Sequence, residues 1–438
     1  LVDKIMSSMR SAGLADVSPE FAAAGHELHH INLGPGDAVL KEYADAGLTL
    51  PDLQAMREYR LGRIRKQLHK RGLGGILVMD PMNIRYATDA TNMQIWVMHN
   101  AARYAWVSAE GPVILWDFHE CEFLSSHNPL VTEVRPAHGS TFFLAGPRHE
   151  EHARKFAHEI LDVIRSTVGE SGAIAIDQCP YLAHKMIEEA GYQVENGQEV
   201  MEMARLIKGA DELLAMRCAV NSCENTMAEM RAALTPGMTE REFWAMLHAG
   251  NIRRGGEWIE TQIIASGPRT NPWMQEASSR VMQSGELVGY DTDLVGAYGM
   301  MVDISRTWLI GGGTPNSAQQ HVHALAKEAV ETNMALLTPG RTFRDLAFDT
   351  FVPPPDEYRH YCVQFHGVGQ CDEYPEIPFP HAWDEWGYDA ELEPGMVLTV
   401  ESYVGPRNGG EGAKLEMQVL VTEDGPERLD YSSLELVV

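Results

Sequence analysis

The C-terminal half of this 438-residue chain places acids where apolar strands have no use for them. Val397-Leu-Thr-Val-Glu401 ends an apolar strand on a glutamate, and in Lys414-Leu-Glu416-Met-Gln-Val-Leu-Val-Thr422 a second glutamate interrupts another. A carboxylate inside an otherwise buried strand is costly unless something cationic compensates it. A third stretch, Glu286-Leu-Val-Gly-Tyr-Asp291-Thr-Asp293-Leu-Val-Gly296-Ala-Tyr-Gly299-Met-Met-Val-Asp303-Ile-Ser-Arg-Thr-Trp308, is predicted to form two strands joined by a Gly-rich turn. Alternation sets Asp291 and Asp293 on one face of the first strand, and the hairpin can bring Asp303 opposite them. Phe365-His366-Gly-Val-Gly369 supplies an imidazole.

Taken singly, each acid could be a solvated strand-end group, because Asp and Glu are mostly exposed. Taken together, a cation-free cluster would suffer strong mutual repulsion. Five carboxylates (Asp291, Asp293, Asp303, Glu401, Glu416) and one imidazole (His366) make the ligand set of a two-metal site. Such oxygen-rich ligation favours Mn, Fe or similar ions over the thiolate-loving ones.

Composition narrows the partners. With 35 Lys+Arg against 62 Asp+Glu, the net charge of −27 repels phosphate backbones and anionic lipid head groups, so neither nucleic acid nor membrane is an expected partner. Hydrophobic residues at 44% and charged residues at 22% describe an ordinary globular chain. Six cysteines without repeated spacing are expected as reduced thiols, pointing to a cytoplasmic enzyme. No apolar run approaches the ~18 residues of a membrane-spanning helix.

Three regions are expected. Residues 1–55 form a helical extension broken at Gly34-Pro35-Gly36. Residues 56–204 alternate helix and strand: helix Arg57–Arg71, strand Gly75–Asp80, strands at Tyr104–Ser108 and Val113–Phe118, helix Glu150–Val168, strand Ala173–Asp177 and helix Tyr181–Ala190, an α/β layer pattern. Residues 205–438 begin with a long amphipathic helix to Leu234, with Asp211 as its capping signal. They also hold an internal repeat, in which Leu234-Thr-Pro-Gly237-Met-Thr239 recurs as Leu337-Thr-Pro-Gly340-Arg-Thr342. In each copy a helix ends at Thr-Pro-Gly and a threonine caps the next, so two similar units each lead into strands.

The order Asp, Asp, His, Glu, Glu, with His366-Gly-Val-Gly, Pro394-Gly-Met-Val-Leu-Thr-Val-Glu401 and Leu415-Glu416-Met-Gln-Val-Leu-Val-Thr, resembles the pita-bread metallopeptidases: methionine aminopeptidase, aminopeptidase P and prolidase. Arg57–Arg65 and Asp80-Pro-Met-Asn83-Ile-Arg-Tyr86 resemble the N-terminal domain of creatinase and prolidase. The resemblance implies an α/β N-terminal domain followed by an α+β pita-bread catalytic domain of two pseudo-symmetric halves.

Departures refine this. Where the peptidases place a substrate-facing His after a Ser-Gly-Pro-Asn-type segment, Ser266-Gly-Pro-Arg-Thr-Asn-Pro-Trp273 has none. The place of a second family His is taken by Asp372 in Cys371-Asp372-Glu373. Asp291 is an additional acid, and the Asp293–Asp303 spacing is one residue shorter than in the peptidases. This combination resembles the dimethylsulfoniopropionate lyases of the DddP type. What it implies is a carbon–sulfur lyase that converts a small zwitterionic substrate to dimethyl sulfide and acrylate by β-elimination. It also implies two divalent metal ions per chain, iron first and Mn, Zn or Co as alternatives, with Asp303 and Glu416 bridging, and a homodimer. Asp372 suits the base, since a carboxylate near a buried metal site can be tuned upward; the alternative is that it only orients a ligand.

Aromatic faces are the usual hosts of sulfonium-like cations. Tyr361, Trp273, Tyr374 and Trp383 flank the ligand segments, with Tyr361 the first choice and Trp96 available from a dimer partner. His26-Glu27-Leu28-His29-His30 matches the zincin H-E-x-x-H pattern, but Gly34-Pro35-Gly36 ends the segment and no third-ligand context follows. Rival readings are a dinuclear aminopeptidase or prolidase, opposed by the missing imidazoles; a metal-free creatinase-like hydrolase, opposed by the intact ligand set; and a non-catalytic binding protein, opposed by the same fact.

Overall fold

The computed structural model describes residues 34–437 except Ser126. The H-E-x-x-H segment lies outside them. Two compact units emerge: Asp52–Arg205, and a second made of Gly34–Pro51 with the chain from Leu206 onward.

The first unit is a six-stranded sheet: β1 (Gly75–Val78), β2 (Tyr104–Ser108), β3 (Val113–Asp117), β4 (Glu133–Pro136), β5 (Gly172–Ile176) and β6 (Tyr192–Asn196), in the order β4-β3-β2-β1-β5-β6. Every residue of β1, β2 and β3 is buried, so both faces must be covered. Period-two alternation sorts them. Ile76, Val78, Ala105 and Val107 join Leu61, Ile64 and Leu68 of helix Leu53–Arg71, while Leu77, Tyr104, Trp106 and Trp116 join Phe156, Ile160 and Ile164 of helix His149–Val168. Asp52 caps the first of these helices by accepting from the Gln54 and Ala55 amides, and Gly72 ends it at φ 66°. Strand β1 stops two residues earlier than its apolar run suggests, because Asp80 turns to cap helix Pro81–Thr88.

In the second unit, Gly34–Pro51 contributes helix Asp37–Asp45, whose Tyr43 hydroxyl lies 2.7 Å from Ser222 Oγ in the long helix Ala210–Ala233. That helix is capped two residues earlier than expected. Gly209 stands at the cap and Glu212 accepts its N–H at 3.0 Å, which leaves Asp211 inside the first turn. The strands are β7 (Trp258–Ile259), β8 (Ile264–Ser266), β9 (Leu287–Tyr290), β10 (Leu294–Val295), β11 (Met301–Val302), β12 (Arg306–Leu309), β13 (Tyr358–Arg359), β14 (Val363–Val368), β15 (Asp372–Pro378), β16 (Val397–Pro406), β17 (Ala413–Thr422) and β18 (Gly425–Arg428). They form the sheets β11-β10-β7, β12-β9-β8 and β15-β14-β16-β17-β18, with β13 pairing β16.

The repeat is structural. Thr239 and Glu242 exchange capping hydrogen bonds at the start of helix Glu240–Arg253, as Thr342 and Asp345 do at helix Phe343–Asp349. Gly237 and Gly340 both have positive φ (99° and 78°), and their amides donate to Met282 O and Leu392 O at 3.0 and 2.8 Å. Each half then launches a strand at a second positive-φ glycine, Gly285 or Gly395.

Candidate metal centre

Two hairpins, one from each half, deliver the acids. In the first, β9 pairs β12 and β10 pairs β11, with Tyr290 opposite Arg306 and Leu294 opposite Val302. The segments between, Asp291-Thr-Asp293 and Asp303-Ile-Ser305, leave the ladder. Here the expected single strand is interrupted: Asp293 takes a left-handed φ of 36°, so strand alternation does not set its direction. Thr292 spans the gap instead, its hydroxyl donating to Val302 O at 2.8 Å and accepting the Ile304 amide at 2.9 Å. In the second hairpin Glu401 lies directly opposite Glu416, and Glu401 sits mid-strand, because β16 continues to Pro406 rather than ending at the acid.

Main-chain stitching joins the hairpins. The Glu416 amide donates to Ser305 O at 3.2 Å, and Thr307 Oγ1 lies 2.9 Å from both Lys414 N and Lys414 O. Thus Asp291, Asp293 and Asp303 come within ligand-sharing distance, as do Asp303, His366 and Glu416. His366 on β14 reaches across, with Nε2 3.3 Å from Asp303 Oδ2, 3.6 Å from Glu401 Oε1 and 3.7 Å from Glu416 Oε1. All six sequence-derived ligands therefore converge.

The donor set fits metal ions. Among the described residues, the buried oxygens Asp303 Oδ1, Glu401 Oε1 and Glu416 Oε1 make no hydrogen bond, an arrangement costly without a cation. Burial first, then the neighbouring carboxylates, push Asp293 and Asp303 well above the ordinary aspartate range. Burial raises Glu401 to about 8 against the pull of Lys414. Glu416 goes the other way: burial opposes its charge, but Lys414 and His366 hold it well below the usual carboxylate range. Hydroxyls lie against some of the other oxygens. Thr261 donates to Asp293, and Ser305 Oγ lies 2.7 Å from Asp291 Oδ1 and 2.8 Å from Glu416 Oε2.

Sequence reasoning overlooked Lys414. Its ammonium is buried, 2.9 Å from Glu416 Oε2, 3.0 Å from Glu401 Oε2, 3.3 Å from Asp291 Oδ2 and 2.8 Å from Ser305 Oγ. The signal was present: a lysine two positions before Glu416 on a strand points to the same face. Asp372, at the start of β15, places Oδ1 3.5 Å from His366 Nδ1 and leaves 57% of its side chain exposed. Partial desolvation raises its carboxyl above the ordinary value, with Glu416 and Glu373 adding to the rise and His366 and Lys414 opposing it.

A cavity of about 450 Å³ is lined by Trp273, Met274, Arg359, Tyr361, Tyr403 and Arg407, among others. Tyr361 packs on Ile263, Trp273 and Tyr403, and Lys414 Nζ sits 5.1 Å from its ring centre. Two of the four expected aromatics thus meet here. The other two do not: Tyr374 stacks on Tyr388 and Trp383 packs against Phe348, because sequence proximity to a ligand does not fix which side of a strand or helix a ring takes. Trp96 belongs to the first unit, against Phe118 and Phe143. The loop bearing Trp273 is anchored by another overlooked residue, the buried Glu240, which accepts from the Ser266 and Ser278 amides at 2.8 and 3.0 Å and pairs with Arg269.

Residues 214–423 match the metallopeptidase family M24, and residues 60–207 match the creatinase/prolidase N-terminal domain. An Xaa-Pro dipeptidase from Bacillus anthracis superposes with a TM-score of 0.68 over 86% of this chain and 98% of that one, at 22% identity, a likeness of fold. Among sequence relatives, the dimethylsulfoniopropionate lyase DddP of Roseovarius nubinhibens is 43% identical over 96% of this chain and 94% of its own. The chain belongs to the DddP family. A second member, from Roseobacter denitrificans, is 41% identical over the same shares. The expected two-domain architecture, α/β followed by α+β pita-bread, is the one found. No helix among the described residues is long and apolar enough to cross a membrane.

Proposed function

We propose that this chain cleaves dimethylsulfoniopropionate to dimethyl sulfide and acrylate by β-elimination, with Asp372 as the base. The observation that carries the reading is near-full-length kinship to two DddP lyases, together with a carboxylate at residue 372 against the His366 ring. Asp372 takes the proton α to the substrate carboxylate, the C–H electrons form the new double bond, and the C–S bond breaks with its pair leaving on dimethyl sulfide. The exposed face of Asp372 can meet a substrate, and its raised pKa suits proton abstraction.

Asp291, Asp293, Asp303, His366, Glu401 and Glu416 would hold two divalent ions, iron first. Bound there, such ions would supply a cationic seat for the substrate carboxylate and would stabilise the negative charge that builds on it. Support comes from the orphaned carboxylate oxygens. Tyr361 and Trp273 line a cavity able to host the sulfonium. A second reading, in which Asp372 only orients His366, draws on the same 3.5 Å contact.

A homodimer is supported by exposed apolar side chains on the first unit, Met93, Ile95, Met98, Phe142 and Phe143, the last of them packed against Trp96. None of the six cysteines forms a disulfide, which is compatible with a cytoplasmic setting. Purified protein incubated with dimethylsulfoniopropionate should release dimethyl sulfide and acrylate in equal amounts. Hydrolysis of an Xaa-Pro dipeptide without dimethyl sulfide would return the chain to the peptidases, and a monomer in light scattering would remove the dimer.

A further inference from the structure

Among the described residues, the Lys414 ammonium finds its polar partners only at the centre. Its ammonium contacts Asp291, Glu401, Glu416 and Ser305, while the rings of Tyr361 and Trp273, 5.1 and 5.8 Å from Nζ, wall it in on the other side. The side chain is completely buried, so its charge acts at low dielectric and water does little to dissipate it.

Charge counting gives this position meaning. The five ligand carboxylates carry five negative charges when ionised. Two divalent ions return four of them, and one unit remains.

We propose that Lys414 is a positioning residue that supplies this fifth charge: it shares Glu401, Glu416 and Asp291 with the ions and brings the loaded centre to neutrality, so that the substrate carboxylate is not repelled. The inference rests on the two-metal reading above. It has a sign that distinguishes it from a merely structural role. A structural lysine, once removed, should loosen the ligands and weaken metal binding. A lysine that shares the carboxylates with the ions opposes metal electrostatically, and its removal should leave a centre that binds divalent ions more tightly.

The test compares wild type, K414M and K414R after stripping with chelator and titration with Mn2+, reading thermal unfolding and Mn2+ uptake. Stripped K414M should melt several degrees below stripped wild type, since removing one partner strands buried charge. Its Mn2+-induced rise in Tm should exceed that of wild type, with several-fold tighter Mn2+ binding and a higher KM for dimethylsulfoniopropionate. K414R, which keeps the charge, should follow wild type in all of these. K414Q, uncharged but still a donor, provides the same comparison if K414M yields no folded protein. A Mn2+-induced rise in the uncharged variants equal to or smaller than that of wild type overturns the proposal, as does K414R behaving like K414M. If wild type takes up no Mn2+, the two-metal reading falls and the proposal with it, whereas two ions in wild type without the larger rise in the uncharged variants removes the lysine's role alone.

Discussion

The two hairpins that meet at the centre are versions of one motif with opposite electrostatic outcomes. In each half an acid lies six residues after a positive-φ glycine, Asp291 after Gly285 and Glu401 after Gly395. The register of the first hairpin sets Asp291 level with Ser305 and Asp293 level with Asp303, while that of the second sets Glu401 opposite Glu416 and Tyr403 opposite Lys414. Lys414 thus occupies the place that Asp303 holds in the other half. One hairpin contributes three acids, no cation and an interrupted ladder; the other contributes two acids, their counter-charge and an unbroken one. A duplicated scaffold can therefore divide labour, with one copy creating demand for cations and the other supplying part of the answer.

The comparison breaks most decisively at the shared acids. Asp303→Ala in the first hairpin or Glu416→Ala in the second should abolish both metal retention and dimethyl sulfide release, measured by elemental analysis and headspace assay. Full activity in either would remove the bridging assignment. Asp372→Asn, which touches neither hairpin, should cost ~10²–10⁴-fold in rate with metal content intact. A loss that follows a ~10–100-fold fall in metal affinity would instead favour its service to His366.

Acidity sharpens the contrast. Burial raises the Glu401 carboxyl from an ordinary 4.5 to about 8, and the Asp293 and Asp303 carboxyls rise well above their ordinary value, so stripped protein folds around protonated acids. Stability from a group raised on folding is full below its unfolded pKa and is lost as pH climbs to its folded one. Stripped protein should therefore lose stability between about pH 5 and 8, and metal binding, which must displace those protons, should weaken on acidification. Parallel melting profiles for stripped and loaded protein across that range would contradict this. The smallest effect is expected at the cavity: Tyr361→Leu should raise KM by ~2- to 30-fold, the equivalent of ~0.5–2 kcal/mol for an aromatic–cation contact, and Tyr361→Phe should stay near wild type.

Much of this centre was legible in the chain. Glu401 and Glu416 stand out because their neighbours are apolar and a buried acid requires compensation, and the Thr-Pro-Gly repeat announced two halves through capping chemistry that depends only on local residues. Lys414 was overlooked because the search followed negative charge, although its two-residue spacing from Glu416 placed it on the same face. The interruption at Asp293 had no local signal, since Asp-Thr-Asp fits a regular strand and only the joint geometry of both hairpins forces the left-handed turn. Tyr374 and Trp383 were misjudged for a related reason, since facing is decided by packing partners distant in sequence. Short helices such as Gln94–His99 escaped because six residues carry too little periodicity.

The stitching of Lys414 to Thr307 has a consequence for the order of events during folding. The first three aspartates can be made, and their hairpin can close, long before β17 exists, but they form only part of a ligand set until that strand docks and delivers Glu416 with its neighbouring ammonium. Contacts between residues more than a hundred positions apart form slowly. Assembly of the centre is thus coupled to the completion of long-range topology, and a nascent or misassembled chain presents a loose acidic loop where the native protein presents a closed receptor for ions.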